Sequence, residues 1–183
     1  RFLQLLAAFN GQVINLSNLS RDLGVAVNTV KSWISILEAS GQIILLKSFY
    51  LNKGKRIIKS PKIYFLDTGL LSYLSGLTLP EQVFKGMASG QFFETLVLGE
   101  VVRSFVNRGL PPRIYCWRTS YGEEVDFIIE DRAEIIPVEV KLSQTTRLSA
   151  VKGLKSFCSL FSQKVKRGFV ITLTGERFVL DRK

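Results

Sequence analysis

Two carboxylates and a lysine lie within sixteen residues of one another in the second half, in the stretch YGEEVDFIIEDRAEIIPVEVKLS. Asp126 interrupts the apolar residues Val125, Phe127, Ile128 and Ile129, and Glu139 and Lys141 are set among Ile135, Ile136, Pro137, Val138, Val140 and Leu142. Both runs have the composition of strands. A side-chain period of two puts Glu139 and Lys141 on one face. A hairpin turning around Asp131 and Arg132 would bring Asp126 beside Glu139. Carboxylates and a lysine at the middle of a sheet are costly unless they pair or hold a metal ion. Mg²⁺ or Mn²⁺ suits such oxygen ligands, with waters completing the shell. An ion held there can activate water and stabilise charge developing on a phosphate, and a neighbouring lysine can position or deprotonate that water. An ordinary ion pair at a sheet edge is the competing account, because a bare Glu-x-Lys has little specificity.

Composition narrows the chemistry. The 183 residues contain no histidine, which removes Ser-His-Asp catalysis, Cys-His catalysis and His-ligated zinc together. Cys116 and Cys158 stand far apart and match no metal spacing, so they are expected in the core of a protein kept in a reducing cytoplasm. The net charge of +10 suits a polyanionic partner such as DNA, or serves solubility. No apolar run reaches the roughly 18 residues of a membrane-spanning helix, so no membrane partner is expected. The chain opens on Arg1 rather than Met, as a fragment of a longer protein would.

The elements that must position these groups form two expected domains, residues 1–77 and 89–183, joined by a linker over 78–88 that carries Pro80 and Gly86. In the second, GQFFETLVLGEVVRSFVNRG predicts one long helix. Its Glu94 shares a stripe with Val97, Leu98 and Val101, so the helix can carry a third carboxylate to the same site. Strands are predicted over 113–118, 125–130 and 134–141, then a helix over 150–161, a strand over 168–172 and a last strand over 177–180. The first three strands should form a meander. The later helix should cross over to a strand parallel to its neighbour, giving an α/β domain with a central mixed sheet. Trp117 reads as core. Arg118 is either a surface charge or a phosphate contact. Thr145, Thr146 and Arg147 could line the mouth of the site, and Lys164, Lys166 and Arg167 read as a solvated face.

The first domain has the pattern of a winged helix-turn-helix. A helical stripe from Phe2 to Phe9 ends at Gly11. A short helix over 16–23 follows with Asn15 as its cap, Gly24 makes the turn, and a third helix over 27–39 should bury Val30, Trp33, Ile34 and Leu37. Strands over 43–50 and 62–66 would flank a basic hairpin containing Lys53, Lys55, Arg56 and Lys59. In a DNA-binding winged helix the third helix, here with Lys31, enters the major groove and the hairpin touches phosphate. Lys31 is the one basic residue on the exposed face of that helix, so protein docking is an equal reading. A capped short helix is expected over 66–77.

Glu94, then Val125-Asp126, then Glu139-Val140-Lys141 resembles the PD-(D/E)XK nuclease signature, with Val125 standing where the motif has proline. The whole chain is also similar to the C-terminal region of a prokaryotic family of AAA-type ATPases, through NLSRDLGVAVNTVKSWISILEASGQI, SPKIYFLDTGLLSYL, GQFFETLVLGEVV, YCWRTSYGEEVDFII and IIPVEVKLS. That resemblance implies a winged helix followed by a restriction-endonuclease-like domain. It further implies metal ligands at Asp126 and Glu139, a contributory Glu94, Lys141 as the catalytic lysine, and an ATPase domain upstream. These residues contain no G-x-x-x-x-G-K-[ST], so no nucleotide cofactor is expected in them. The expected function is a Mg²⁺-dependent module that binds and cuts DNA; the alternative is a non-catalytic docking platform for the ATPase.

Overall fold

The computed structural model describes residues 1–49, 60–132, 134–143, 151–174 and 179. It is a mixed α/β structure in which the chain divides into two compact units. One comprises Arg1–Lys47 and Lys59–Pro111, and the other Ser48–Ile58 and Pro112–Lys183.

Three helices open the first unit: α1 (Phe2–Ala8), α2 (Leu16–Leu23) and α3 (Val27–Ala39). The Asn15 side chain caps α2 by accepting from the amides of Ser17 and Asn18, each at 3.1 Å. Gly24 ends α2 with φ of 71°, a left-handed conformation that glycine takes without a Cβ penalty. Val30 and Ile34 of α3 enter a core with Leu6, Leu19, Ile63, Phe65 and Phe92. Trp33 does not join them as expected. It stays 36% exposed and tilts against Phe2 at 5.0 Å between centroids.

The two-stranded sheet pairs β1 (Ile43–Leu46) antiparallel with β2 (Lys62–Phe65), Ile43 opposite Phe65. The strand expected over 43–50 is therefore split. After Leu46 the chain leaves β2, and Ser48 bridges in parallel to Cys116 of the second unit's sheet. Helices α4 (Thr68–Leu74), α5 (Pro80–Lys85) and α6 (Ser89–Val106) follow. Asp67 caps α4 through the Leu70 amide at 2.7 Å. The expected linker contains α5, with Pro80 in its first turn and Gln82 Oε1 accepting from the Thr78 and Leu79 amides at 2.9 Å each.

Helix α6 groups with the first unit because its buried face is bound there. Asn10, 1% exposed, donates to Thr95 Oγ1 at 2.8 Å and accepts from the Phe65 amide at 2.9 Å, and Gln91 donates to the Asn10 carbonyl.

In the second unit β3 (Ile114–Arg118), β4 (Glu124–Asp131), β5 (Glu134–Val140) and β6 (Phe169–Ile171) form one sheet in that spatial order. The first two pairings are antiparallel. Helix α7 (Lys152–Leu160) carries the chain across to β6, parallel to β5, so the sheet is mixed as expected. Trp117, Val125, Ile128, Phe157 and Phe161 form its core together with Phe49, which arrives from the connection after β1. The final strand expected over 177–180 lies outside the described residues apart from Val179.

Candidate functional site

Strands β4 and β5 pair from Asp131↔Glu134 to Phe127↔Val138. The next position in that register sets Asp126 across from Glu139. Regular backbone pairing stops there, and the Asp126 carboxylate takes its place: Oδ2 accepts from the Val140 amide at 2.8 Å. Asp126 departs from the β3 ladder as well. Tyr115 pairs with Ile128 and Trp117 with Val125, so Cys116 alone faces both Asp126 and Phe127. This is a one-residue β-bulge on β4, a device that redirects a side chain. The three consecutive apolar residues Phe127, Ile128 and Ile129 break strict alternation, but nothing in them locates a bulge.

Asp126 and Glu139 are each 5% exposed. Lys141 Nζ stands 2.6 Å from Glu139 Oε1, while the lysine amide donates to the Ile171 carbonyl at 2.9 Å. The other glutamate oxygen, Oε2, is buried and accepts no hydrogen bond from the described residues. Burial pushes the Glu139 carboxyl up to about 7, and the nearby Asp126 charge adds to the rise. The Lys141 hydrogen bond and charge act against it, and Glu124 contributes a smaller rise. A half-satisfied buried carboxylate beside a second one is an unstable arrangement by itself. A cation would relieve both the orphaned oxygen and the like-charge repulsion.

The donor set fits a hard divalent ion: two carboxylates, oxygen only, in a dry setting. Among the described residues no three acidic or cysteine side chains converge into a fuller cage. Mg²⁺ or Mn²⁺ held by Asp126 and Glu139 would thus keep several of its own waters.

The remaining expected residues are placed as follows. Glu94 lies on α6 and accepts a hydrogen bond from the Tyr64 hydroxyl of β2, a fully buried side chain. Arg118 is half-exposed and pairs with Glu124 at 3.5 Å. Trp117 is fully buried. Lys31 is exposed on α3. Lys166 and Arg167 are exposed, each 3.6 Å from Glu134. Lys53, Lys55, Arg56 and Lys59 of the expected wing lie outside the described residues, as do Thr145, Thr146 and Arg147. Cys116 is buried and Cys158 half-buried, with no disulfide. No described helix is long and apolar enough to cross a membrane.

An apolar groove on the first unit had no forerunner in the sequence. Phe2, Leu3, Trp33, Ile36 and Leu37 line it between α1 and α3, and Ile36 is 61% exposed.

Residues 89–183 match the family model described as a domain of unknown function (DUF4143), and residues 1–81 are similar to a second domain of unknown function (DUF8612). An uncharacterized protein of Mycobacterium tuberculosis and one of Mycobacterium bovis are each 30% identical to the chain over 145 residues. That stretch is 79% of this chain and 32% of each relative. The chain therefore spans about a third of the length of the curated relatives it matches. No solved structure matches it significantly.

Proposed function

The chain belongs to the DUF4143 family of domains of unknown function, and we propose that it is a divalent-metal-dependent module acting on DNA phosphodiesters, attached to an ATPase. The observation that carries the reading is the pair of buried, opposed carboxylates, one with an oxygen that nothing in the described structure bonds. The resemblance of Val125-Asp126 and Glu139-Val140-Lys141 to the PD-(D/E)XK signature supports a restriction-endonuclease-like second unit. The order of three helices and two paired strands in the first supports a winged helix.

Asp126 and Glu139 are the residues that would hold Mg²⁺ or Mn²⁺. Such an ion supplies an acidified water and neutralises charge on the phosphate. The chain does the positioning. The Val140 amide holds Asp126 by one oxygen. Lys141 favours the ionised form of Glu139, and its half-exposed ammonium can orient a water or a phosphate oxygen next to that carboxylate. Arg118 and Lys31 are the described cations proposed to contact phosphate, and Lys53, Lys55, Arg56 and Lys59 extend the proposal to the wing. A contributory role for Glu94, which is bonded to Tyr64 in the first unit, rests on the resemblance alone. An upstream ATPase is supported by the resemblance of the chain to the C-terminal region of AAA-type ATPases, and the greater length of the relatives leaves room for it.

One observation favours a second reading, a non-catalytic docking platform. The α3 surface offers Trp33 and Ile36 beside Phe2 and Leu3, a surface better suited to protein than to a DNA groove.

Titration calorimetry with Mn²⁺ and Mg²⁺, on the wild type and on D126A/E139A, tests the site. A plasmid-nicking assay on the wild type and K141A tests the chemistry. Binding lost in the double variant together with nicking lost in K141A supports the nuclease reading. Absence of metal binding by the wild type, with or without DNA, refutes it and leaves the platform.

A further inference from the structure

The β4 bulge at Asp126 and Phe127 is held in place from outside the meander. Cys116, the single β3 residue facing the Asp126–Phe127 doublet, is bound on its other edge by a strand fragment from far upstream. Ser48 bridges to it, and the Phe49 amide donates to the Cys116 carbonyl at 2.8 Å. The Phe49 ring is 6% exposed. It is wedged among Tyr115, Phe157 and Phe161, each 5.7 Å away between centroids. Phe157 in turn meets Trp117 edge-on at 5.3 Å. The neighbours of Cys116 on both sides, Tyr115 and Trp117, are thus tied to the same aromatic cluster.

A one-residue bulge has no intrinsic address. Sliding it along β4 by one position changes which residue is left out of the ladder and which face each side chain takes. Opposite the anchored Cys116 the doublet is Asp126 and Phe127. Asp126 is then the residue that bonds Val140, and Phe127 the one that pairs with Val138.

We propose that Phe49 is a positioning residue for the Asp126 carboxylate: it fixes the register of β3 and thereby the place of the bulge that aims Asp126 at the Val140 amide. This rests on Asp126 as the functional carboxylate of the candidate site. It assigns part of the site's precision to a residue lying between β1 and β2, outside the β3–β6 stretch of the chain that supplies the carboxylates.

Amide hydrogen exchange measured by NMR on the full chain tests it, in the series Phe49→Leu, Phe49→Val and Phe49→Ala. The Val140 amide reports the bond to Asp126. The adjacent Lys141 amide, bonded to Ile171, and the Glu130 amide, bonded to Arg113, report general loosening of the same sheet. Positioning predicts that Val140 exchange accelerates relative to both references, by about tenfold in the alanine variant. Leucine should retain most of the protection. A constant ratio across every folded member of the series overturns the proposal and leaves Phe49 as core packing alone; Leu and Val decide the matter if the alanine variant does not fold. Mn²⁺ titration of the wild type and Asp126→Asn runs beside it. No binding by the wild type with a shifted ratio refutes the metal reading alone, and wild-type binding that is lost in Asp126→Asn with a constant ratio refutes the positioning alone.

Discussion

Replacing Glu139 by glutamine should flatten the pH dependence of stability between about pH 4.5 and 7. Glutamine keeps the shape and can still accept from Lys141, but it carries no ionisable proton. In the wild type, burial and the Asp126 charge raise the carboxyl from its ordinary 4.5 to about 7. Below pH 4.5 the folded and unfolded chains both hold the proton. Between 4.5 and 7 the unfolded chain releases it while the folded chain keeps it, so stability falls as pH rises. At about 1.4 kcal/mol for each pH unit, the window amounts to about 3 kcal/mol lost by pH 7. Above that value the contribution is constant. Urea denaturation followed by tryptophan fluorescence at half-unit pH steps from 4.5 to 8 measures it, with no divalent ion present. The wild type should lose about 3 kcal/mol more than E139Q over this range. Parallel curves for the two proteins would show that the folded chain does not hold Glu139 protonated and would remove the basis for calling its environment strained.

Three further outcomes follow from the same contacts. Because the Lys141 hydrogen bond and charge lower the Glu139 pKa, K141A should extend the stability loss to higher pH; an unchanged upper limit in the same urea series would count against the pair. Gly153→Ala on α7 would put a Cβ 1.9 Å from the Glu124 carbonyl oxygen, so overpacking should destabilise by about 1–3 kcal/mol or more, read as a lowered Tm by calorimetry; an unchanged or raised Tm refutes the close approach. Asn10→Ala leaves the buried Phe65 amide without its acceptor and should cost about 1–3 kcal/mol in urea midpoint, where a neutral effect would show that water fills the gap.

Much of the architecture was legible because it depends on local signals. Asn15 and Gly24 delimit α2 by capping and by backbone conformation, and both act within a few residues. The hairpin of β4 and β5 follows from two apolar runs around a short turn, so Asp126 and Glu139 could be paired from spacing alone. Trp33 was misplaced because helical period assigns it to the apolar stripe, while the width of the buried stripe depends on which neighbours arrive; Val30 and Ile34 fill the core without it. The split after Leu46 was hidden for a related reason. Residues 43–50 have uniform β propensity, and where a strand changes partner is decided by Cys116, nearly seventy residues away. The helical segment over 80–85 was masked by Pro80, which read as a breaker but sits at a helix start, where its missing amide costs nothing. The Asn10 network joins β2 to α6 and has no sequence signature, since a lone asparagine after a helix reads as a turn.

The chain order of the two units has a consequence for how such a protein can be inherited and recombined. The second unit draws on Ser48–Ile58 as well as Pro112–Lys183, while the first resumes between them. A contiguous piece of gene beginning anywhere after Phe49 would leave that aromatic cluster without one of its rings. A single crossover that carried over only Pro112–Lys183 would therefore deliver the carboxylate-bearing unit without Phe49.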